Sequence, residues 1–159
     1  MEADMVYLCI VEILCKRAFS LRPQELISIH ERLFYIIYGH DGNYRDYNIT
    51  KRERVLVGDA VTYSPHETIA CELDCVFKDE RNFSYDISLC ETVHNIASFI
   101  SRIWMIYPFA EGNTRTVAVF LIKYLQYLGF DIDGDVFADS SCYFGECTCS
   151  GQLSQKQHN

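Results

Sequence analysis

Ile106-Tyr107-Pro108-Phe109-Ala110-Glu111-Gly112-Asn113-Thr114-Arg115-Thr116 is the stretch around which the rest of the chain is organised. Apolar residues recur at helical spacing on both sides: Ile96, Phe99, Ile100, Ile103 and Trp104 before it, then Val117, Phe120, Leu121, Tyr124 and Leu128 after it. Recurrence at i+3, i+4 and i+7 marks a half-buried helix. The polar loop therefore joins two core helices, with Gly112 and Asn113 where the second begins. A helix N-terminus exposes unpaired N–H groups and a partial positive charge, which suits an anion such as phosphate. Arg115 adds a planar fork of donors matched to phosphate oxygens. Glu111 sets a carboxylate beside them, where Mg²⁺ could be shared with a nucleotide. These residues read either as a nucleotide-phosphate site or as an ordinary helix–helix connection, and residue types alone do not choose between the two.

The bounds of the chain narrow the function classes. Its 159 residues, 49% of them hydrophobic, suffice for one domain with a real core. A net charge of −8 argues against a nucleic-acid partner, because neutralising phosphates needs basic clusters. No apolar run approaches the ~20 residues that span a bilayer, so no membrane partner is expected. No basic segment leads into an apolar secretory core, and the expected compartment is the cytoplasm. Among the eight cysteines, Cys71 and Cys75 are four apart on an expected helix, and Cys9, Cys15 and Cys90 have apolar neighbours. They read as reduced thiols packed as small hydrophobes. Cys142, Cys147, Cys149 and His158 lack the paired spacing of a zinc site. Asp131–Asp135 has glycine fourth and cysteine twelfth where a calcium loop needs glycine sixth and glutamate twelfth.

Along the chain, residues 3–18 read as a helix with Val6, Ile10, Leu14 and Tyr7 on one face. Pro23 and Glu25 signal the start of a second, carrying Leu26, Ile29, Leu33, Phe34 and Ile37, with His30 a packed or surface histidine. Gly39–Asn43 ends it in a loop. Val55–Tyr63 has two β-prone runs around Gly58-Asp59, which predicts a hairpin. Pro65 opens a helix from Glu67 to Asp79 with Ile69, Leu73 and Val76 inward. The central helix then runs from about Ile87 to the organising loop. His94 lies thirteen residues before Tyr107, ~20 Å along a helix, too far to act there. The acidic turn at Asp131–Asp135 caps a short helix from Val136. The expected fold is mainly all-α, a helical bundle with one short β-hairpin.

Tyr107-Pro-Phe-Ala-Glu-Gly-Asn-Thr-Arg115 resembles the signature loop of the Fic/Doc family, His-Pro-Phe-x-(Asp/Glu)-Gly-Asn-Gly-Arg, in the variant that ends Gly-Asn-Thr-Arg-Thr. The resemblance extends through Ile29–Phe34, Arg45–Ile49 and Val119–Leu125, covering roughly residues 20–144. It implies a single Fic-type domain over 1–144 and transfer of AMP from ATP, with Mg²⁺, to a Ser, Thr or Tyr hydroxyl of a target protein. By that resemblance Tyr107, Phe109 and Arg115 occupy catalytic positions. Glu111, Gly112, Asn113, Thr114 and Arg115 hold the nucleotide, and Glu111 also holds the metal. The hairpin, with Val57, Val61, Thr62 and Tyr63, is the flap that registers an extended segment of the target by strand addition.

Three departures bear on activity. Tyr107 stands where the family has its histidine base, and positioned bases typically contribute ~10²–10⁴-fold. A phenol of ordinary pKa about 10 is protonated at neutral pH and is a poor base. Ala118 stands where the family has a second arginine. After Tyr143-Phe144 the chain departs from the relatives' terminal helix, and deleting one base from compatible codons restores Asn-Ala-Leu-Val-Arg-Ala-Asn-Tyr. This points to a frameshift near Gly145 and a disordered tail over 145–159. Fic proteins often carry an inhibitory (Ser/Thr)-x-x-x-Glu-(Gly/Asn) helix. Thr68-Ile-Ala-Cys-Glu72 has that spacing but continues with Leu73, so any restraint would come from a separate regulatory protein or from sequence lost at the tail. The alternative to an impaired transferase is an inactive Fic-fold protein that binds nucleotide or serves only for interaction.

Overall fold

The computed structural model describes residues 2–35, 37, 42–52, 60–85 and 89–132. Its elements in order are α1 (Glu2–Cys15), α2 (Pro23–Phe34), β1 (Thr50–Arg52), β2 (Ala60–Thr62), a 3₁₀ turn (His66–Thr68), α3 (Ile69–Arg81), α4 (Leu89–Ile106) and α5 (Asn113–Tyr127). The expected class, a mainly helical bundle with a short hairpin, is the one observed. α5 packs against α1, α2 and α4, while α3 packs against α2 and α4. Val117, Val119, Phe120 and Tyr124 bring α5 into a core with Leu26, Ile29 and Leu33 of α2, Leu73 and Phe77 of α3, and Ile96, Phe99 and Ile103 of α4. Phe77 meets Phe99 and Phe120 edge-on at 5.3 and 5.5 Å, the geometry aromatic quadrupoles prefer.

Two buried polar groups lock the bundle. The Lys123 ammonium donates to the carbonyls of Ile13 (3.3 Å), Lys16 (2.9 Å) and Ala18 (2.9 Å). It thereby satisfies carbonyls left over where α1 ends, and burial pushes its pKa down. The buried Glu80 carboxylate accepts from the hydroxyls of Tyr85 and Tyr124 and from Asn95. Burial, then the bonds to Glu80 and Tyr85, push the Tyr124 phenol pKa up.

Several expectations are corrected. α1 stops at Cys15, three residues short of the predicted end, and Lys123 binds the Ile13 carbonyl inside it and the Lys16 and Ala18 carbonyls beyond it; its buried face is Val6, Ile10 and Ile13, and Tyr7 points outward. The helix expected over Glu67–Asp79 begins with a 3₁₀ turn and runs to Arg81. Trp104 is at the surface, because Ile103 and Ile106 take the inward positions. The hairpin pairs Thr50 with Thr62, Lys51 with Val61 and Arg52 with Ala60, and the β-prone Val55–Val57 run lies outside the described residues. Cys9, Cys15, Cys71, Cys75 and Cys90 are free, but of these only Cys9 is even partly buried and the other four are exposed. Among the described residues no helix is long and apolar enough to cross a membrane, and no cluster of ligating side chains could hold a metal. Val57, the Gly58-Asp59 turn, most of the Gly39–Asn43 loop, the helix from Val136, Cys142, Cys147, Cys149, His158 and the 145–159 tail lie outside the described residues.

Candidate functional site

The loop between α4 and α5 is built by contacts that leave one end of α5 open. Gly112 takes a left-handed backbone (φ 74°, ψ 4°) and starts the helix at Asn113, a conformation that glycine adopts without steric cost. The first helical bond closes from the Thr116 N–H to the Gly112 carbonyl at 3.0 Å, reinforced by the Thr116 hydroxyl at 2.9 Å. The N–H groups of Asn113, Thr114 and Arg115 precede any helical acceptor, and the first turn carries no acidic residue. The structure thus forms the helix terminus that the sequence pattern predicted.

Each expected site residue other than Val57, which lies outside the described residues, has a definite place. Asn113 is buried, and its side chain staples the loop: Nδ2 donates to the Phe109 carbonyl at 2.6 Å and Oδ1 accepts the Phe109 N–H at 2.9 Å. What Asn113 offers a ligand is therefore its backbone N–H. Phe109 is fully buried, with its ring stacked on His30 at 3.9 Å. Arg115 lies part-exposed with its guanidinium 5.4 Å from the centre of the Phe34 ring. Thr114 is part-exposed beside it, and Glu111 is exposed at the mouth of the loop. Neither Arg115 nor Glu111 has an ion-pair partner among the described residues. Tyr107 is buried, stacked on Tyr63 at 4.3 Å, and held at φ 50°. That is the left-handed region which non-glycine residues seldom occupy. Val61 and Thr62 lie on β2, and Tyr63 follows it directly.

Sequence reasoning missed three supports. His30 is fully buried; its Nδ1 accepts the Gly42 N–H at 3.0 Å and its Nε2–H donates to the Glu111 carbonyl at 3.1 Å. One neutral tautomer satisfies both bonds, so this histidine fixes the loop from below. Phe34 fills the space beside Gly112 that a side chain there would need. Arg45 donates from Nε to the Tyr107 carbonyl at 2.8 Å, and its own N–H bonds the Pro108 carbonyl at 2.9 Å. No helical or strand periodicity singles out His30 or Arg45; only their positions in the resembling segments Ile29–Phe34 and Arg45–Ile49 pointed towards them. Glu72, of the inhibitory-type spacing, is committed elsewhere: it accepts from the hydroxyls of Ser64 and Thr68. His94 lies far back along an uninterrupted α4.

The sequence profile of the Fic/DOC family matches residues 20–125, the span from before α2 to near the end of α5. The chain belongs to the Fic/DOC family. Among solved structures the Fic-domain chain is similar to the BepC effector protein of Bartonella tribocorum, crystallised with AMPPNP. Identity is 21% and TM-score 0.67, covering 97% of this chain and 78% of that one. It is also similar to the N-terminal Fic domain of a putative cell filamentation protein of Bartonella quintana, solved with bound ADP. There identity is 22% and TM-score 0.67, over 83% and 67% of the respective chains. The N-terminal Fic domain of Bep8 from Bartonella sp. 1-1C gives 21% identity and TM-score 0.66, over 85% and 66%. At such identities the likeness establishes the shared Fic fold. No curated protein matches the chain in sequence.

Proposed function

We propose that this Fic-domain chain binds the phosphates of ATP at the N-terminus of α5 and has the architecture of a protein AMP-transferase, with transfer impaired by Tyr107. The observation that carries the reading is the free first turn of α5. The N–H groups of Asn113, Thr114 and Arg115 point out of the helix end, with the Arg115 guanidinium alongside and the Glu111 carboxylate exposed at the entrance. Backbone donors and the helix dipole favour polyphosphate there. Mg²⁺ is commonly held by one carboxylate together with substrate phosphates, so Glu111 fits the role of metal ligand. Bound there, the metal would neutralise phosphate charge. Gly112 keeps the approach free of a side chain, Thr114 lines it, and Phe109, wedged on His30, fixes the loop.

In the reaction, a Ser, Thr or Tyr oxygen of the target attacks the α-phosphorus in line. The bond from that phosphorus to the bridging β-oxygen breaks, and pyrophosphate leaves. The hydroxyl proton must go to a base. The residue at that position is Tyr107, a phenol packed on Tyr63 beside β2, so the proton acceptor is lacking while the phosphate cradle stays built. The hairpin, through Val57, Val61, Thr62 and Tyr63, would register an extended segment of the target protein. Restraint would come from a separate regulatory protein. The second reading, an inactive nucleotide-binding or interaction protein, is favoured by the same Tyr107–Tyr63 stack. Calorimetric titration with Mg·AMPPNP tests the site. Saturable binding that weakens in Arg115→Ala and requires Mg²⁺ supports it; no binding by the folded chain refutes it.

A further inference from the structure

Arg45 is 4% exposed, and its side chain reaches three separate segments. Nη1 donates to the Tyr47 carbonyl (2.7 Å), before β1, and Nη2 donates to the Ser64 carbonyl, after β2. Nε and Nη2 donate to the carbonyls of Tyr107 (2.8 Å) and Ile106 (3.1 Å). The last carbonyls of α4 lack helical partners and carry partial negative charge, so a buried cation is stabilised there. Alongside, the Ser64 N–H donates to the Met105 carbonyl at 3.2 Å. The Ser64 hydroxyl donates to Glu72 at 2.6 Å, which ties the foot of the hairpin to α3.

We propose that Arg45 is a positioning residue, a clasp that joins both feet of the hairpin to the signature loop so that target-docking strands and phosphate-binding loop keep one relative placement. The proposal rests on the nucleotide-site reading above. A guanidinium can do this because its five donors lie in one rigid plane, whereas a lysine ammonium is a single point on a flexible stem. The backbone of Tyr107 shows what is at stake. A non-glycine residue at φ 50° persists only where its surroundings over-determine it. Its carbonyl is held by Arg45 and its ring by Tyr63, the residue next to Ser64. Loss of the clasp would free the hairpin feet and let Tyr107 relax, turning the Pro108-Phe109 peptide and the loop that leads to Gly112.

The test is hydrogen exchange on the full chain, read at peptides covering 60–64, 105–110 and 117–124, together with Mg·AMPPNP affinity, for the unmodified chain, Arg45→Ala and Arg45→Lys. In Arg45→Ala, exchange in the first two peptides rises together by about tenfold or more, the scale of one lost charge-assisted hydrogen bond. The 117–124 peptide stays protected and nucleotide affinity falls by a similar factor. Arg45→Lys fails to restore either, and added methylguanidinium partly restores both in Arg45→Ala. Should Arg45→Ala not fold, Arg45→Lys carries the comparison against the unmodified chain. Independent responses of the hairpin and loop peptides, a uniform rise that includes 117–124, or full function in Arg45→Lys would overturn the clasp. If the unmodified chain binds no nucleotide, the phosphate-site reading fails, while the exchange pattern still decides the coupling.

Discussion

Replacing Gly112 by alanine puts a methyl carbon 2.3 Å from Cε2, 2.6 Å from Cζ and 3.0 Å from Cδ2 of the Phe34 ring, where carbon atoms ordinarily sit ~3.5–4.0 Å apart. Phe34 is fully buried against His30, with ring centroids 5.0 Å apart, and cannot swing away freely. Two costs add. Holding alanine at φ +74° costs roughly 1–2 kcal/mol, and moving a packed core ring costs about 1–3 kcal/mol more. The expected loss is ~2–5 kcal/mol of a domain stability of ~5–15 kcal/mol, or ~5–15 °C in Tm for a chain of this size. Gly129 supplies the control. It has φ +90° with nothing within 4 Å of an added Cβ, so Gly129→Ala carries only the backbone part, ~1–2 kcal/mol. Urea unfolding followed by circular dichroism measures both variants, and Gly112→Ala combined with Phe34→Leu recovers part of the difference. Equal losses for the two glycines, or a double variant worse than the sum of its parts, would refute the argument that the Phe34 ring sets the shape of the loop.

Asn113→Ala strands the buried N–H and C=O of Phe109 and lowers stability by ~2–5 kcal/mol. Asn113→Asp, although a carboxylate at a helix N-terminus is usually favourable, sets an oxygen against the Phe109 carbonyl and also destabilises. A stabilised Asp variant in thermal melts would show that the staple is not formed. At alkaline pH the sign follows from the phenols of Tyr85 and Tyr124, both raised chiefly by burial. Above the ordinary tyrosine value the unfolded chain loses protons that the folded chain keeps, so their contribution is complete below pH about 10. It declines as the pH rises towards their folded values. Urea unfolding between pH 9 and about 11 should show stability falling, with a shallower fall in Tyr124→Phe; equal slopes in the two proteins would contradict this.

The helices were legible because α2, α3, α4 and α5 each carry one apolar stripe at helical spacing, and Pro23, Pro65 and Gly112 punctuate them. The start of α5 was legible from Gly112 and Asn113 for the same local reason. What local pattern does not encode is the partner of a buried polar group. His30 reads as one more residue on a helix face, and Arg45 as part of a polar loop, because the carbonyls they serve lie 81 and 62 residues away in sequence. The described part of the hairpin pairs Thr50–Arg52 with Ala60–Thr62, and the polar Thr50–Arg52 segment has no β-prone run to single it out. Asn113, expected as a ligand, is committed through its side chain to the loop's own backbone. The role of Tyr107 came from comparison with the signature loop, and its stack on Tyr63 could be seen only in three dimensions.

The central claim is a Fic-type phosphate site that is built but lacks its proton acceptor, and labelled-AMP transfer from ATP with Mg²⁺ onto proteins of a cell lysate tests it most directly. The unmodified chain and its Tyr107→His variant are compared; histidine tolerates the left-handed backbone at that position better than most residues. The account predicts labelling by Tyr107→His at least ~10²-fold above the unmodified chain, the contribution expected of a positioned base. Equal labelling by both, or none by a folded Tyr107→His variant, would contradict it.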